Sequence, residues 1–267
     1  MRAAGPMART VAEASDLYEV ISKADPSDTY ALPPEPPLEK PFDPAGLRIG
    51  VLPDLGYGFA ASDAVLDVLH AAAELAARAG AIVETIKPPF EADPYDSLDI
   101  LFKVRAMTEW ETFTPEQQAL IDAPVAAWIR TGDGLTATDY DRALDETYTS
   151  QLRFAATHQC YDLVLTPTRP VSAIPAESVG IDPSRPLADT GFTCWYNQTG
   201  QPAASLCFGL ENGHPIGLQL AGQRFTDRLV LSAAAWFEAH RGFEPDWPFE
   251  PRGLVGAREP RGAVAWR

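Results

Sequence analysis

The sequence has few cysteines and no long apolar run, and each shortage excludes a class of protein. Cys160, Cys194 and Cys207 are too few and too widely spaced for a disulfide framework or a Cys-x-x-Cys zinc site. Unpaired thiols are typical of a reducing compartment, so we expect a cytoplasmic protein. No stretch approaches the roughly 18 apolar residues of a membrane span, and residues 1–6 do not resemble a signal peptide.

Basic residues are also scarce. The 267 residues include 21 Lys and Arg against 37 Asp and Glu, which gives a formal net charge of −16. Such a surface repels phosphate backbones and anionic lipid, so we expect neither nucleic acid nor a membrane as a partner. The 46% hydrophobic and 22% charged residues are ordinary for a globular domain, and a chain of this length can fold without disulfides.

The common catalytic and cofactor motifs are missing. Four histidines are scattered without the spacing of metal ligands, and there is no nucleophile elbow, Walker loop or dinucleotide fingerprint. We therefore expect no metal and no cofactor. With these motifs excluded, the remaining candidate for a nucleophile is a serine that a lysine base activates. However, none of the four lysines lies beside a Gly/Ser-rich segment, so we expect no catalytic residue in this chain: Lys23, Lys40, Lys87 and Lys103.

Hydrophobic periodicity and capping signals predict alternating helices and strands in the first part of the chain. One helix follows Thr10, and an Ala-rich helix begins at Ser62-Asp63 and ends at Gly80. Short strands at 47–52 and 81–86 flank this second helix, an order typical of a parallel βαβ unit. The proline-rich residues 24–46 predict an extended surface connector.

The middle of the chain, residues 94–159, is predicted to be helical, with Pro124 interrupting one helix and Thr138 starting the last. Four large apolar side chains here suit either a pocket wall or a core, and their helical spacing favours the core. They are Met107, Trp110, Phe113 and Trp128.

The last third predicts a buried strand at 162–166 that ends in Pro167-Thr168, and a loop over 167–195. Strands at 203–208 and 216–221 form a hairpin around Asn212-Gly213, and a helix runs from Asp227 to about His240. We expect one domain over 1–241 and a poorly ordered tail over 242–267.

Five segments, in order along the chain, resemble the amidase signature family. They are residues 5–11 (GPMARTV), 47–57 (LRIGVLPDLGY), 161–168 (YDLVLTPT), 197–205 (NQTGQPAAS) and 215–222 (PIGLQLAG). The resemblance implies an α/β fold with a mixed β-sheet flanked by helices. It also implies descent from a hydrolase of carboxamide C–N bonds.

In that family, a Gly/Ser-rich stretch carries a nucleophilic serine and a second serine in a cis peptide bond, and a lysine lies farther upstream. No such stretch occurs here, and residue 1 corresponds to a point just beyond it. The resemblance therefore implies the C-terminal portion of an amidase, without the triad or the oxyanion hole, and no turnover by this chain alone. Residues 94–159 would form the substrate-side wall.

The resemblance also places two short segments near the substrate pocket. The residues are Thr166, Pro167, Thr168, Asn197, Thr199 and Gly200. A structural role is the alternative for all of them: Gly200 suits a positive φ, while Asn197 and Thr199 suit hydrogen bonds to the backbone of a buried loop.

The sequence is compatible with two origins of the chain. It is either a truncated reading frame of an ordinary amidase or one half of a split enzyme. The partners implied are an amide substrate in the complete enzyme and an N-terminal half or a homo-oligomer. The rival functions are a non-catalytic binding module and a component of an amidotransferase, and the particular amide is not indicated.

Overall fold

A mixed five-stranded sheet lies at the centre of the computed structural model, which describes residues 3–29, 31–33 and 35–245. The strands are β1 (Arg48–Val51), β2 (Ile82–Thr85), β3 (Leu163–Pro167), β4 (Ala203–Glu211) and β5 (His214–Ala221). Their order is β2-β1-β3-β5-β4. β1 pairs in parallel with β2 and β3, whereas β5 is antiparallel to β3 and β4. The predicted parallel pair and the predicted hairpin are both present.

Eight α-helices and one short 3-10 helix (Ala188–Thr190) surround the sheet in the described part of the chain. The α-helices are α1 (Val11–Ile21), α2 (Asp63–Arg78), α3 (Tyr95–Trp110), α4 (Pro115–Gln118), α5 (Ala123–Arg130), α6 (Ala137–Ala156), α7 (Gly191–Thr199) and α8 (Asp227–His240). Among the described residues, no helix is long and apolar enough to cross a membrane. Residues 246–267, most of the predicted tail, lie outside the described residues.

Side-chain caps fix the start of four of the eight α-helices in the described residues, namely α1, α2, α4 and α6. The side chains of Thr10 and Ser62 accept hydrogen bonds from the first turns of α1 and α2, as the sequence indicated. α6 begins before the predicted Thr138, because Thr136 and Asp139 form a reciprocal capping box. Pro124 lies in the first turn of α5, where its missing N–H costs no hydrogen bond.

The two faces of the sheet carry separate cores. Helices α1, α2 and α8 cover one face and bury aliphatic side chains such as Ile49, Leu69 and Leu220. The second core includes Phe154, Val164 and Trp195. A small third cluster joins α3 to α5 and contains Met107, Trp110 and Trp128, as the core interpretation predicted, whereas Phe113 is 39% exposed.

The structure corrects the sequence prediction at residues 191–199. We expected a loop there, but these residues form helix α7. Phe192, Trp195 and Tyr196 follow one another at helical spacing and are all buried, so tertiary burial holds the helix. Gly200 ends it with φ of 70°, the positive φ that the sequence suggested.

Candidate functional site

A strip of polar side chains lies on one face of the sheet where β3, β5 and β4 meet. Gln219 on β5 is paired across the strands with Thr166 on β3 and with Ser205 on β4, so the three side chains share a face. Thr166 and Gln219 are buried, whereas Ser205 is exposed. The strip therefore runs from the protein interior to a surface that solvent reaches.

The outer end of the strip is a pair of hydroxyl groups. Thr168 Oγ1 lies 2.6 Å from Ser205 Oγ. The pair meets over Gly217, where an added Cβ would come within 2.6 Å of Thr168 Oγ1 and 2.9 Å of Ser205 Oγ. Glycine at this position is therefore what lets the two hydroxyl groups approach.

The inner end of the strip is tied to helix α7. Gln219 Nε2 donates to Thr166 Oγ1 at 2.8 Å and to the Phe192 carbonyl at 2.9 Å. Because a carbonyl oxygen can only accept, the contact with Phe192 fixes which end of the amide is the nitrogen. One buried amide thus couples the sheet to the helix.

A second buried contact holds α7 against the turn that follows α6. His158 Nε2 lies 3.2 Å from the Tyr196 hydroxyl, and His158 Nδ1 lies 3.1 Å from the Phe154 carbonyl. The carbonyl assigns the ring proton to Nδ1, so Nε2 accepts from Tyr196. Burial lowers the pKa of His158 to about 4 and raises the pKa of Tyr196, so both groups are neutral near pH 7.

The strip opens into a cavity of about 910 Å³ between residues 3–22, α7, α8 and β4. Asn197, Gly200, Ser205 and Gln219 line it. Its volume is that of a small-molecule site. Two charged groups on its wall are paired with each other, since Arg241 Nη1 lies 3.9 Å from Glu238 Oε1.

The structure brings together only part of the set predicted from sequence. Asn197 and Gly200 line the cavity, and Thr168 contacts Ser205, which lines it too. Thr166 and Pro167 are buried in β3 behind this wall. Thr199 Oγ1 is buried and has no hydrogen-bond partner in the described part of the chain. A substrate contact by any of the six stays a prediction.

Sequence reasoning missed several residues of this site. Gln219 interrupts the otherwise apolar run 216–221, and this polar residue in a core strand was a usable signal. His158 and Tyr196 are 38 positions apart and belong to no motif, so their contact had no signal in the sequence.

The chemistry of the site is that of neutral hydrogen-bonding groups. Within the described ranges, no group of three or more His, Cys, Asp or Glu side chains could hold a metal ion. Lys103 lies in α3 with Nζ 2.5 Å from Asp99 Oδ2, an ion pair away from this cavity. Hydroxyl and amide groups of this kind can bind and orient an uncharged polar ligand.

Solved structures share this fold. The chain matches 6-aminohexanoate cyclic dimer hydrolase with a TM-score of 0.75 at 21% identity, over 91% of this chain and 55% of that one. It matches a bacterial aryl acylamidase of the amidase signature family with a TM-score of 0.74 at 22% identity, over 88% and 52%. These likenesses confirm the predicted fold.

The family is shown by the sequence match. The family model described as Amidase matches residues 1–231, so the chain belongs to that family. It is 28% identical to the A subunit of the glutamyl-tRNA(Gln) amidotransferase of Salinispora tropica, over 94% of this chain and 56% of the relative. Its counterpart in Lactococcus lactis is also 28% identical, over 91% and 56%. The chain spans about half the length of these relatives.

Replacing Gln219 with leucine is expected to lower the free energy of unfolding by about 2 kcal/mol. The change leaves the buried Phe192 carbonyl and Thr166 hydroxyl without their donor. Urea unfolding followed by circular dichroism measures the loss. Gln198→Leu is the matched control, because Gln198 is only half-buried and its amide oxygen accepts from Gln151 at 3.2 Å. Equal losses in the two variants would contradict a special role for Gln219.

Proposed function

We propose that this chain forms the pocket wall of an enzyme that hydrolyses carboxamide C–N bonds, and that amidase sequence outside this chain supplies the nucleophilic serine and its base. The observation that carries the proposal is the neutral strip opening into the cavity in a member of the Amidase family. A carboxamide is uncharged and has both donors and acceptors, which hydroxyl and amide side chains match.

Three of the four charged residues that line the cavity among the described residues already have charged partners, namely Arg9, Glu238 and Arg241; the fourth, Asp227, lies in the first turn of α8. Arg241 is 4% exposed at its side chain, and it lies close to both Glu238 and Glu244. Arg9 is paired with Glu13 on the outside of the N-terminal segment. Recognition of a substrate therefore falls to the uncharged groups of the wall, chiefly Ser205 and Asn197.

We propose that the rest of the amidase binds along the outer edge of β4. In the described part of the chain β4 pairs only with β5, and its residues 203–207 line the cavity. An unpaired strand edge offers backbone N–H and C=O groups to another strand. Gln201 lies on the cavity wall just before β4, and its Oε1 is buried without a hydrogen-bond partner among the described residues, so a donor from the rest of the amidase would satisfy it.

Co-expression with the remaining part of a related amidase tests this function. We expect a one-to-one complex that releases ammonia from simple carboxamides, and no release from either part alone. The native mass of the complex and an ammonia assay are measured on the same sample. A complex without turnover would favour a non-catalytic binding module, and absence of a complex would contradict the proposed seat on β4.

In the active complex, Ser205→Ala is expected to lower kcat/KM about tenfold, the value of one hydrogen bond in a water-excluded site. Ser178→Ala is the control, because Ser178 is exposed in the loop between β3 and α7. An unchanged kcat/KM in the Ser205 variant would remove the hydroxyl pair from the site.

The relatives also suggest a second role. Both are named as subunits of an amidotransferase, so the amide-cleaving centre could act within a larger assembly. Copurification of the complete amidase with further subunits, rather than free ammonia release, would favour this role.

A further inference from the structure

The wall of the cavity beside β4 has two parts of different chemistry. One part is the polar strip described above, which includes Gln219 and Ser205. Helices α1 and α8 contribute the second part, whose middle is apolar and aromatic. The residues are Val11, Ala14, Tyr18 and Ile21 of α1 and Val230, Leu231 and Ala234 of α8. Hydrogen bonding to an amide suits the first part, whereas contact with apolar surface suits the second.

The four α1 residues form a stripe, here called the α1 stripe. They follow one another at intervals of three or four positions, which is the spacing of one helix face. Such a face normally packs on a core, but of the 11 residues of α1, all of them described, only Val11 is buried. Tyr18 is half-buried, and Ile21 is 48% exposed. The α1 stripe therefore borders the cavity with little protein against it.

Polar contacts hold α1 in this orientation. At its first residue, the Val11 N–H donates to the carboxylate of Glu238 at 3.1 Å. Near its other end, Arg228 Nη2 donates to Glu19 Oε2 at 2.8 Å. Both partners lie on α8, so the two contacts fix how α1 is turned about its axis. The direction of the α1 stripe is thus set by residues outside its exposed part.

The apolar surface also continues beyond the cavity. Leu17 is 42% exposed and does not line the cavity. It lies one helical turn before Ile21, so the two side chains are neighbours on the helix surface. A ligand inside the cavity would leave Leu17 uncovered, whereas a protein element could cover both residues.

We propose that an apolar element of the rest of the amidase packs against the α1 stripe and the facing residues of α8, so that the substrate occupies only the polar part of the cavity. This inference rests on the proposed function, because the occupant is amidase sequence outside this chain. The cavity also reaches residues 203–207 of β4, so the proposed contact is continuous with the one on the strand edge. The chain covers 56% of its Salinispora tropica relative, so nearly half of such a relative lies outside the matched part.

Ile21→Glu and Val20→Glu form a matched pair that tests this contact. Both residues are β-branched, lie at the end of α1 and are exposed, but only Ile21 lines the cavity. Val20 lies about 100° around the helix from Ile21. In the complex, a carboxylate at 21 would be buried against apolar surface, whereas one at 20 would stay in solvent.

The dissociation constant is measured by diluting the co-expressed complex of this chain with the remaining part of a related amidase. We expect Ile21→Glu to raise this constant about 100-fold. Val20→Glu and the conservative Ile21→Leu are expected to leave it unchanged. Circular dichroism of each variant chain checks that it is folded.

Turnover of the same samples separates a protein occupant from a substrate. The ammonia release lost in Ile21→Glu is expected to return when the two parts are concentrated above the raised dissociation constant. An Ile21→Glu complex with the wild-type dissociation constant but a raised KM would place the substrate on the α1 stripe and overturn the inference. Equal effects of Ile21→Glu and Val20→Glu would also overturn it, as would a native mass of two copies of this chain.

The failure of this inference can be told apart from the failure of the proposed function. A wild-type complex that Ile21→Glu does not weaken overturns the inference alone and leaves the contact with β4 in place. A wild-type chain that forms no complex contradicts both.

Discussion

Replacing Trp195 with alanine is expected to lower the free energy of unfolding by about 4 kcal/mol, the usual cost of removing a large aromatic side chain from a core. Trp195 is 0% exposed and lies on α7. Its ring centroid is 4.8 Å from that of Phe90 and 6.0 Å from that of Phe154. Its indole nitrogen donates to the Tyr57 hydroxyl at 2.7 Å. The change therefore removes packing and a buried hydrogen bond together.

The loss of Trp195 should also loosen the cavity wall. Trp195 is two positions before Asn197 and anchors the buried side of the helix that carries it. We expect faster hydrogen exchange of the α7 amides in Trp195→Ala, beyond the change in the strands of the sheet. Urea unfolding followed by circular dichroism gives the free energy, because the substitution removes a fluorescent group.

Trp236→Ala is the matched control for this prediction. Trp236 is only partly buried on α8, where it stacks on His240 with ring centroids 4.4 Å apart. We expect a cost of about 1–2 kcal/mol there, because less apolar surface leaves solvent on folding. If Trp195→Ala costs no more than Trp236→Ala, the anchoring role assigned to Trp195 is wrong.

The parts of the fold that could be predicted depend on local signals. Ser62 caps α2 through its own side chain, and Asn212 and Gly213 adopt φ of 52° and 81°, the positive values of a tight hairpin turn. Helix caps and turn residues act within a few positions of the chain, so they can be recognised from a single sequence. The strands and most helices follow from them.

Helix α7 could not be predicted in the same way. Thr193, Cys194 and Asn197 are weak helix formers, and a loop rich in Pro, Ser and Gly precedes them. What holds α7 is the burial of Phe192, Trp195 and Tyr196 against side chains from distant segments. That burial exists only once β3 and α6 are in place.

The candidate site likewise contains residues that could be predicted from the sequence and residues that could not. The resemblance pointed to Asn197, Gly200 and Thr168, which lie at or beside the cavity. Gln219 has a local signal, because it is a polar residue in an otherwise apolar strand, but the sequence does not show that its amide links the sheet to α7. Long-range contacts of this kind are set by the fold and have no local pattern.

Lowering the pH from 7 to 4 is expected to destabilise the wild type by about 3 kcal/mol more than a His158→Gln variant. Burial lowers the pKa of His158 from 6.5 to about 4 in the folded protein. Between these values the unfolded chain binds a proton that the folded chain does not, so stability is full above pH 6.5 and falls as the pH drops towards 4. A difference of about 2.5 pKa units corresponds to about 3 kcal/mol.

The neighbours of His158 give this effect its structural consequence. A protonated ring would present an N–H to the Tyr196 hydroxyl in place of the acceptor that Tyr196 now uses. Acid is thus expected to weaken the contact between α7 and the end of α6, and with it the position of Asn197 in the cavity wall. Urea unfolding at a series of pH values measures the free energy of unfolding of both proteins.

Glu35 and Asp227, whose pKa values burial raises, are present in the wild type and in the variant, so their contributions cancel in the comparison. His70→Gln, which replaces a histidine that is exposed on α2, is measured alongside as the control. If His158→Gln keeps the wild-type slope between pH 6.5 and 4, the histidine is not held neutral by burial, and the anchor it provides for α7 is not sensitive to acid.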